Sequence, residues 1–389
     1  MLDYQSLYRL PFSKNDNFNG WIEITTQCNL RCPGCYRGCD LESHQGVHKS
    51  LPAILEELTL LDKLRNPSMI SISGGEALTH PDLDAVVSWV RQHGMHPVLF
   101  TNGLLLTPER LRRLRNAGLT GVVVRVDSLQ SENGVTMESH IHSVRARMAR
   151  LASDAGVFLT LTACLDQSNI QQIPDIADWA LANAESVGQC IWILKRPLVL
   201  DPSHIPGSDD LAFLDDLLDV IEKNIPDLRF AAYLGSDAEA QQAKWLQAMR
   251  LVVGGVSLGW VDARFVELLQ SVGHWFSGRY VGIQEKRKQR MSLLSALLMA
   301  CLNQSFRRMV KAWFVKALRR PSLLFRKATV QAFTVVVPPH FVRGRRDLCD
   351  GCPDAILHEG RLVPSCSLEE IIRYGHPFEM EEQRGAERI

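Results

Sequence analysis

Three cysteines, Cys28, Cys32 and Cys35, stand at the spacing C-x3-C-x2-C in the segment CNLRCPGC. Three thiolates so placed can hold three irons of a [4Fe–4S] cube. The fourth iron is then open to a small chelating ligand, to which it can pass an electron. Cys39 adds a fourth sulfur, which suits a closed zinc site or a fully ligated cluster instead. Spacing alone leaves these alternatives open. A second group, Cys349, Cys352 and Cys366, reads C-x2-C-x13-C. It too can hold three irons, or a zinc ion with a fourth donor such as His358 or Cys301. Between the two groups lies SGGE, residues Ser73, Gly74, Gly75 and Glu76. Two glycines let a ligand approach the backbone with no Cβ in the way. The carboxylate beside them can accept hydrogen bonds from an ammonium group. Read blandly, the same four residues are a turn followed by an acid at a helix start.

Groups like these need elements to hold them. Short apolar runs at 21–25, 69–73, 98–101, 122–126, 158–162 and 190–194 read as strands. Helical patterns at 51–64, 83–92, 108–116, 140–155 and 174–182 fall between them. This alternation predicts an α/β fold with a parallel sheet: a partial or full barrel, or a doubly wound sheet. In either, ligands bind at the carboxyl ends of the strands. The motifs sit there: CNLRCPGC after the first strand, SGGE after the second, TNG after the third and VDS after the fourth. Beyond Lys195 the alternation stops. Residues 209–224 and 238–251 read as helices, 254–260 as a Gly-rich stretch, 285–328 as helical with a break at Pro321, and 333–337 as β-like.

The chain has 389 residues, 46% of them hydrophobic and 22% charged, which excludes a largely disordered or collagen-like protein. Its formal net charge of zero hides a segregation. Residues 286–346 hold fifteen Lys or Arg and no Asp or Glu, which leaves a formal −15 on the remainder. The start lacks a basic region followed by an apolar run, and the longest apolar stretches fall short of the roughly 20 residues a spanning helix needs. A cytoplasmic protein of a reducing compartment is expected, peripheral at the inner membrane face. Its cysteines are expected to bind metal rather than pair. The basic segment mixes its charges with Leu, Phe, Trp and Met at helical spacing. It reads either as a solvated helical face or as a membrane-surface element with a cationic polar side. A phosphate-rich ligand is a third reading. No DNA- or RNA-reading module is legible, so nucleic acid is not an expected partner. Arg343, Arg345 and Arg346, just before Cys349, read as an anion contact.

Taken in order, CNLRCPGCY, SGGE, FTNG and VDS resemble the radical S-adenosylmethionine (SAM) superfamily over about residues 18–200. The resemblance implies that Cys28, Cys32 and Cys35 ligate a [4Fe–4S] cluster, with Cys39 a bystander thiol. SAM then chelates the open iron through its amino and carboxylate groups. Glu76 and the Gly74–Gly75 backbone hold the methionine ammonium. Tyr36 occupies the place of an aromatic near the adenine. Asn102 and Ser128 face the ligand from strand ends, Asn169 lies close to SAM, and Ile193 and Leu194 flank the adenine with backbone groups. Arg125 departs from the small polar residue that relatives often have there. The C-terminal group resembles the auxiliary-cluster segments of twitch and SPASM type, which implies a second [4Fe–4S] cluster on Cys349, Cys352 and Cys366.

The expected organisation is an N-terminal extension (1–17), a partial (β/α)6 TIM-type barrel (18–200), a mostly helical accessory region (201–346) and a small C-terminal cysteine-rich segment (347–389). The expected activity is reductive cleavage of SAM to a 5′-deoxyadenosyl radical, which abstracts hydrogen from a substrate. The substrate is expected to be an anionic or membrane-associated amphiphile, and the electron donor a flavodoxin or ferredoxin. Two alternatives stand beside this: a maturase of ribosomal peptides, and a non-enzymatic iron–sulfur sensor that binds SAM.

Overall fold

The computed structural model describes residues 2–32, 35–39, 45–130, 137–195, 213–225, 227–237, 242–282, 290–342 and 345–377. Six strands form its frame: β2 (Asn19–Glu23), β3 (Met69–Ser73), β4 (His96–Thr101), β5 (Gly121–Arg125), β6 (Phe158–Leu165) and β7 (Gln189–Leu194); β1 is introduced below. Each pairs in parallel with the next. The helices α1 (Leu51–Arg65), α2 (Leu83–Gln92), α3 (Pro108–Ala117), α4 (His142–Ala155) and α5 (Ile173–Ala182) lie in the crossovers. Local chemistry sets their ends. At α3 the Thr107 hydroxyl accepts the Arg110 N–H at 3.1 Å, Pro108 opens the helix, and Gly118 closes it at φ 114°. Apolar side chains of these strands and helices, among them Ile22, Ile72, Leu99, Val122, Leu159 and Leu194, form one buried core.

The sheet does not stop at β7. Beyond it come β8 (Ala232–Gly235), β9 (Ala243–Val253), β10 (Val256–Trp260), β11 (Arg290–Met291) and β12 (Ala328–Val336). Among the described residues twelve strands join in one sheet, whose main path runs β1-β8-β9-β12-β7-β6-β5-β4-β3-β2. β12 runs parallel to β7 and antiparallel to β9. This corrects the expected accessory region. Residues 243–253 are strand rather than helix, although Ala, Lys, Leu, Gln, Met and Arg favour helices. Pairing on both sides, with β8 and β12, overrides that preference. The stretch 256–260 is likewise a strand, in a hairpin with β9. The expected N-terminal extension supplies β1 (Tyr8–Arg9), parallel to β8.

The helical expectation holds for α6 (Leu214–Asn224), with residues 209–212 outside the described ones, and for α8 (Leu293–Leu302) and α9 (Gln304–Arg319); α7 (Ala263–Ser277) is a helix where the sequence reading placed no element. α8 and α9 part at Asn303, ahead of the expected break at Pro321; its side chain caps α9 and donates to Asp262, the cap of α7, at 2.8 Å. A second core lies under these helices, with Phe306, Met309 and Trp313 packed on Met249, Leu251 and Leu258. The C-terminal part holds short hairpins, β13 (Phe341–Val342) with β14 (Arg345–Arg346) and β15 (Ala355–His358) with β16 (Arg361–Pro364), then α10 (Leu368–Tyr374).

The path of the sheet leaves β2 at one end and β1 with β8 at the other. No strand pairing closes a barrel among the described residues. The C-terminal segment joins the two ends instead. Its Asp350 pairs with Arg9 of β1 at 2.5 Å, and the Asp350 N–H donates to the Gly235 carbonyl of β8 at 3.1 Å. On the other side, Asn17 and Asn19 donate to the carbonyls of Gly351 and Pro353 at 3.1 and 3.2 Å. Gly351 is required at this crossing, because a Cβ there would lie 2.1 Å from the Phe12 carbonyl oxygen.

Candidate active site

β2 ends at Glu23, and the first cysteine loop follows it. The Cys39 thiol interacts with those of Cys28 and Cys35, and Cys32 interacts electrostatically with Cys28 and Cys35. A hydrogen bond from Cys39 pulls the Cys28 thiol down to about 7; the Leu30 N–H, at 3.4 Å from the sulfur, adds to this against burial. Burial pushes the Cys32 thiol up, and the Arg125 guanidinium opposes the rise. Three cysteines facing one another beside a cation form a donor set that fits an iron–sulfur cluster. Cys39 is not remote from them: its buried thiol lies between Cys28 and Cys35. Among the described residues, no three His, Cys, Asp or Glu stand ready around a single metal ion.

The residues after Cys35 anchor the loop. The Tyr36 hydroxyl donates to Glu23 at 3.3 Å. Arg37, buried, pairs with Glu23 at 2.7 Å and with Glu369 of α10 at 2.5 Å. Sequence reasoning missed this triad, although Arg37 sits inside the motif. Its partners lie 14 positions before it and far along the chain, so no local pattern announces them.

At the end of β3, Gly74 has φ 141°. A Cβ on it would meet the Thr25 carbonyl oxygen at 2.2 Å, and one on Gly75 the Gln27 carbonyl oxygen at 2.4 Å. The space that the glycines leave is therefore taken by the start of the cysteine loop. The N–H groups of Gly75 and Glu76 donate to Thr25 and Gln27 at 2.9 and 2.8 Å. Glu76 itself is buried. It accepts from Leu78 N at 3.0 Å, from the Thr101 hydroxyl at 2.8 Å and from Asn102 N at 2.8 Å. Burial raises its carboxyl, and these three donors work against the rise. A carboxylate has about four acceptor positions, so one remains. Asn102 reaches across to Asn29 of the cysteine loop at 2.7 Å.

Ser128 and Asn169 meet in a buried polar network. Asn169 donates to Ser128 Oγ at 3.3 Å, to Glu138 at 3.2 Å and to the Cys164 carbonyl at 2.9 Å, while its oxygen accepts Asp166 N at 3.0 Å. Its amide is occupied by the protein itself. Glu138 pairs with Arg145, both fully buried, and takes the Ser128 N–H at 2.8 Å. Arg125 grips Asp127 with two hydrogen bonds of 2.8 and 3.2 Å, and Asp127 takes Cys164 N at 2.9 Å. On β7 the Leu194 side chain points into the core, whereas Ile193 is half-buried.

In the C-terminal group the thiols of Cys349 and Cys352 touch, and Cys366 interacts with Cys349. Arg65 holds the Cys352 carbonyl at 2.9 Å. Cys301 is exposed on α8, its sulfur on the Leu297 carbonyl of the same helix at 3.6 Å. His358 lies in the β15–β16 hairpin, opposite Arg361. Arg346 is not the expected anion contact: it is buried, bonded to Glu370 at 2.8 Å and stacked on Phe341. Arg343 lies outside the described residues.

Residues 22–180 match the model of the radical SAM superfamily. These residues carry a radical SAM domain. The radical SAM relatives include the "PqqA peptide cyclase" of Bradyrhizobium diazoefficiens, 26% identical over 52% of this chain and 53% of that protein. The "PqqA peptide cyclase" of Gluconobacter oxydans is 30% identical over 47% and 52%. An "Fe-coproporphyrin III synthase" of Methanosarcina barkeri is 28% identical over 43% and 42%. The chain spans about half the length of the curated relatives it matches. Among solved structures, Streptococcus suis SuiB bound to S-adenosylmethionine aligns with a TM-score of 0.42 and 16% identity over 55% of this chain and 48% of that one. The radical SAM family is one of enzymes whose cofactors are a [4Fe–4S] cluster and SAM, and the thiols of Cys28, Cys32 and Cys35 fit that requirement.

Proposed function

We propose that this chain cleaves SAM reductively at a cluster held by Cys28, Cys32 and Cys35 and abstracts hydrogen from an anionic or membrane-associated amphiphile. The observation that carries the radical chemistry is convergence at the ends of β2, β3, β4 and β5: Asn102 bonds both Glu76 and Asn29 of the cysteine loop, and the Arg125 charge acts on Cys32. With SAM bound, the cluster supplies a 5′-deoxyadenosyl radical, the species that removes the hydrogen atom. The chain's own part is to bind and to orient. Glu76 keeps one acceptor position for the methionine ammonium, and its other three fix the ends of β3 and β4. Arg125, anchored by Asp127, stands by Cys32 and favours its thiolate. Tyr36 and Arg37 hold the loop to β2 so that the thiols stay grouped. Ser128 offers its hydroxyl from the end of β5; Asn169 steadies it. Ile193 and Leu194 offer backbone groups at the end of β7.

The C-terminal thiols of Cys349, Cys352 and Cys366 would hold a second [4Fe–4S] cluster, and a flavodoxin or ferredoxin would supply electrons. The amphiphile reading draws on the acid-free basic segment. A second reading, a peptide substrate, is supported by the relatives called PqqA peptide cyclase. The test is anaerobic reconstitution of the native chain and of a Cys349→Ala/Cys352→Ala/Cys366→Ala variant. About eight irons falling to about four, with 5′-deoxyadenosine still formed from SAM, is expected. About four irons in both would remove the second cluster. No 5′-deoxyadenosine from either would leave a SAM-binding sensor.

A further inference from the structure

α8 and α9 hide one side and show another that is not polar. On α8, Leu294, Leu297, Leu298 and Leu302 are exposed at i, i+3, i+4 and i+8, and Ala296 is the helix's buried side chain. On α9 the inner face buries Phe306, Met309, Val310 and Trp313, while Leu318 stands 84% exposed. Phe325, in the turn that follows, is 90% exposed, and Trp275 and Phe276 at the end of α7 are 78% and 76% exposed. Scattered apolar side chains on a surface need no explanation; runs of large ones on consecutive elements do. Phe325, Leu318, Trp275, Phe276 and Leu294 are the most exposed of the big apolar side chains described.

Along α8 and α9 the charges have one sign. Arg307, Arg308, Lys311, Lys316, Arg319 and Arg320 are exposed along α9 and its end. Residues 290–346 contain no Asp or Glu. Lys311, Lys316 and Arg319 make no ion pair among the described residues. A second copy of this chain would have to bring acids to the surface, and this surface has none to offer in return. A water-facing polar helix has no use for Leu318 and Phe325. Apolar side chains flanked by unpaired cations instead match the boundary of an anionic bilayer, where hydrocarbon lies just beneath a layer of phosphates. No described helix is long and apolar enough to cross a membrane, so such contact is superficial.

We propose that the outer face of α8, α9 and the following turn docks on an anionic phospholipid bilayer. Leu298, Leu302, Leu318 and Phe325 enter the headgroup boundary, and the α9 cations meet lipid phosphates. The proposal rests on the proposed function only for its purpose, delivery of an amphiphilic substrate. The docking itself is independent of it.

The test is flotation of the full chain with phosphatidylcholine vesicles, with and without phosphatidylglycerol. Two variants separate the forces: Lys311→Glu/Lys316→Glu/Arg319→Glu/Arg320→Glu, and Leu298→Ser/Leu302→Ser/Leu318→Ser/Phe325→Ser. All eight residues are exposed, so the fold should survive in both, and circular dichroism checks it. The expected result is flotation only with phosphatidylglycerol. The charge variant should bind about a hundred-fold more weakly or worse, at about 1 kcal/mol per basic residue near the surface. The apolar variant should keep a weak binding that salt abolishes. Absence of flotation overturns the proposal, as does flotation unaffected by the apolar changes. Sedimentation velocity adds a third overturning outcome: a dimer of the native chain that the apolar variant dissolves would make the face an interface between copies. 5′-Deoxyadenosine formation in vesicle-free buffer should be equal in all three proteins. Its loss in all would count against the radical SAM reading and leave the docking result standing.

Discussion

Three donors from two strand ends already converge on the Glu76 carboxylate, so its role in ligand binding depends on the position left over. Glu76→Gln puts an NH2 where an acceptor is needed and removes the charge. It should weaken SAM binding by about ten- to a hundred-fold, the range of a charged hydrogen bond. Equilibrium binding of SAM to the reconstituted chain measures this, and a variant that binds SAM as the native chain does would return Glu76 to a purely structural part. His142 makes a second prediction at this scale. Its Nδ1 accepts a hydrogen bond from Arg145 at 2.8 Å, and its ring stacks on Trp179. Burial, then the Arg145 charge, lowers its pKa below 6.5. A depressed histidine gives stability that is complete above its unfolded pKa and is lost as pH falls through the folded one. The urea midpoint should therefore drop as pH falls below about 6.5, the unfolded histidine value, and His142→Phe should show a smaller drop.

Arg37 belongs to the scale of elements, because it fastens the cysteine loop to β2 and to α10 at once. Arg37→Ala strands Glu23 in a buried site without its cation. A cost of about 3–5 kcal/mol is expected from denaturant unfolding. Glu369→Ala should cost less, since Glu369 is partly exposed and can be hydrated. A cycle of the two with the double variant should give a coupling energy above zero; exact additivity would mean that the loop and α10 are held separately. The parallel part of the frame was legible in sequence. Its strands are apolar runs bounded by turn residues, and Met69–Ser73 and Leu83–Gln92 coincide with the expected elements. The Cys28, Cys32 and Cys35 loop and the SGGE turn were legible because their members are near neighbours. β9 was not: its residues favour a helix, and the partners that flank it arrive from 232–235 and 328–336. Arg37 with Glu369 escaped for the same reason. Residues separated along the chain are paired by the fold, and composition carries no mark of the pairing.

At the scale of the molecule, the C-terminal segment completes a sheet that its own strands leave open. It touches β1 and β8 on one side and β2 on the other. Gly351→Ala would drive a Cβ into the Phe12 carbonyl and lift the segment from this gap. Iron content of the reconstituted variant should fall at the C-terminal thiols, and limited proteolysis should begin to cut near 349–352; native iron and native resistance together would show that the crossing tolerates a side chain. The same closure has a consequence for biosynthesis. A ribosome makes the Cys28–Cys39 loop early and Glu369 some three hundred residues later. Until then Arg37 has one of its two partners and β2 has a bare flank. A cluster carrier that meets the nascent chain therefore meets an unfinished socket. A chain cut before residue 345 would keep the first cysteines but lack Glu369 and the closing segment, and its first cysteine loop should hold a cluster less securely than that of the full chain.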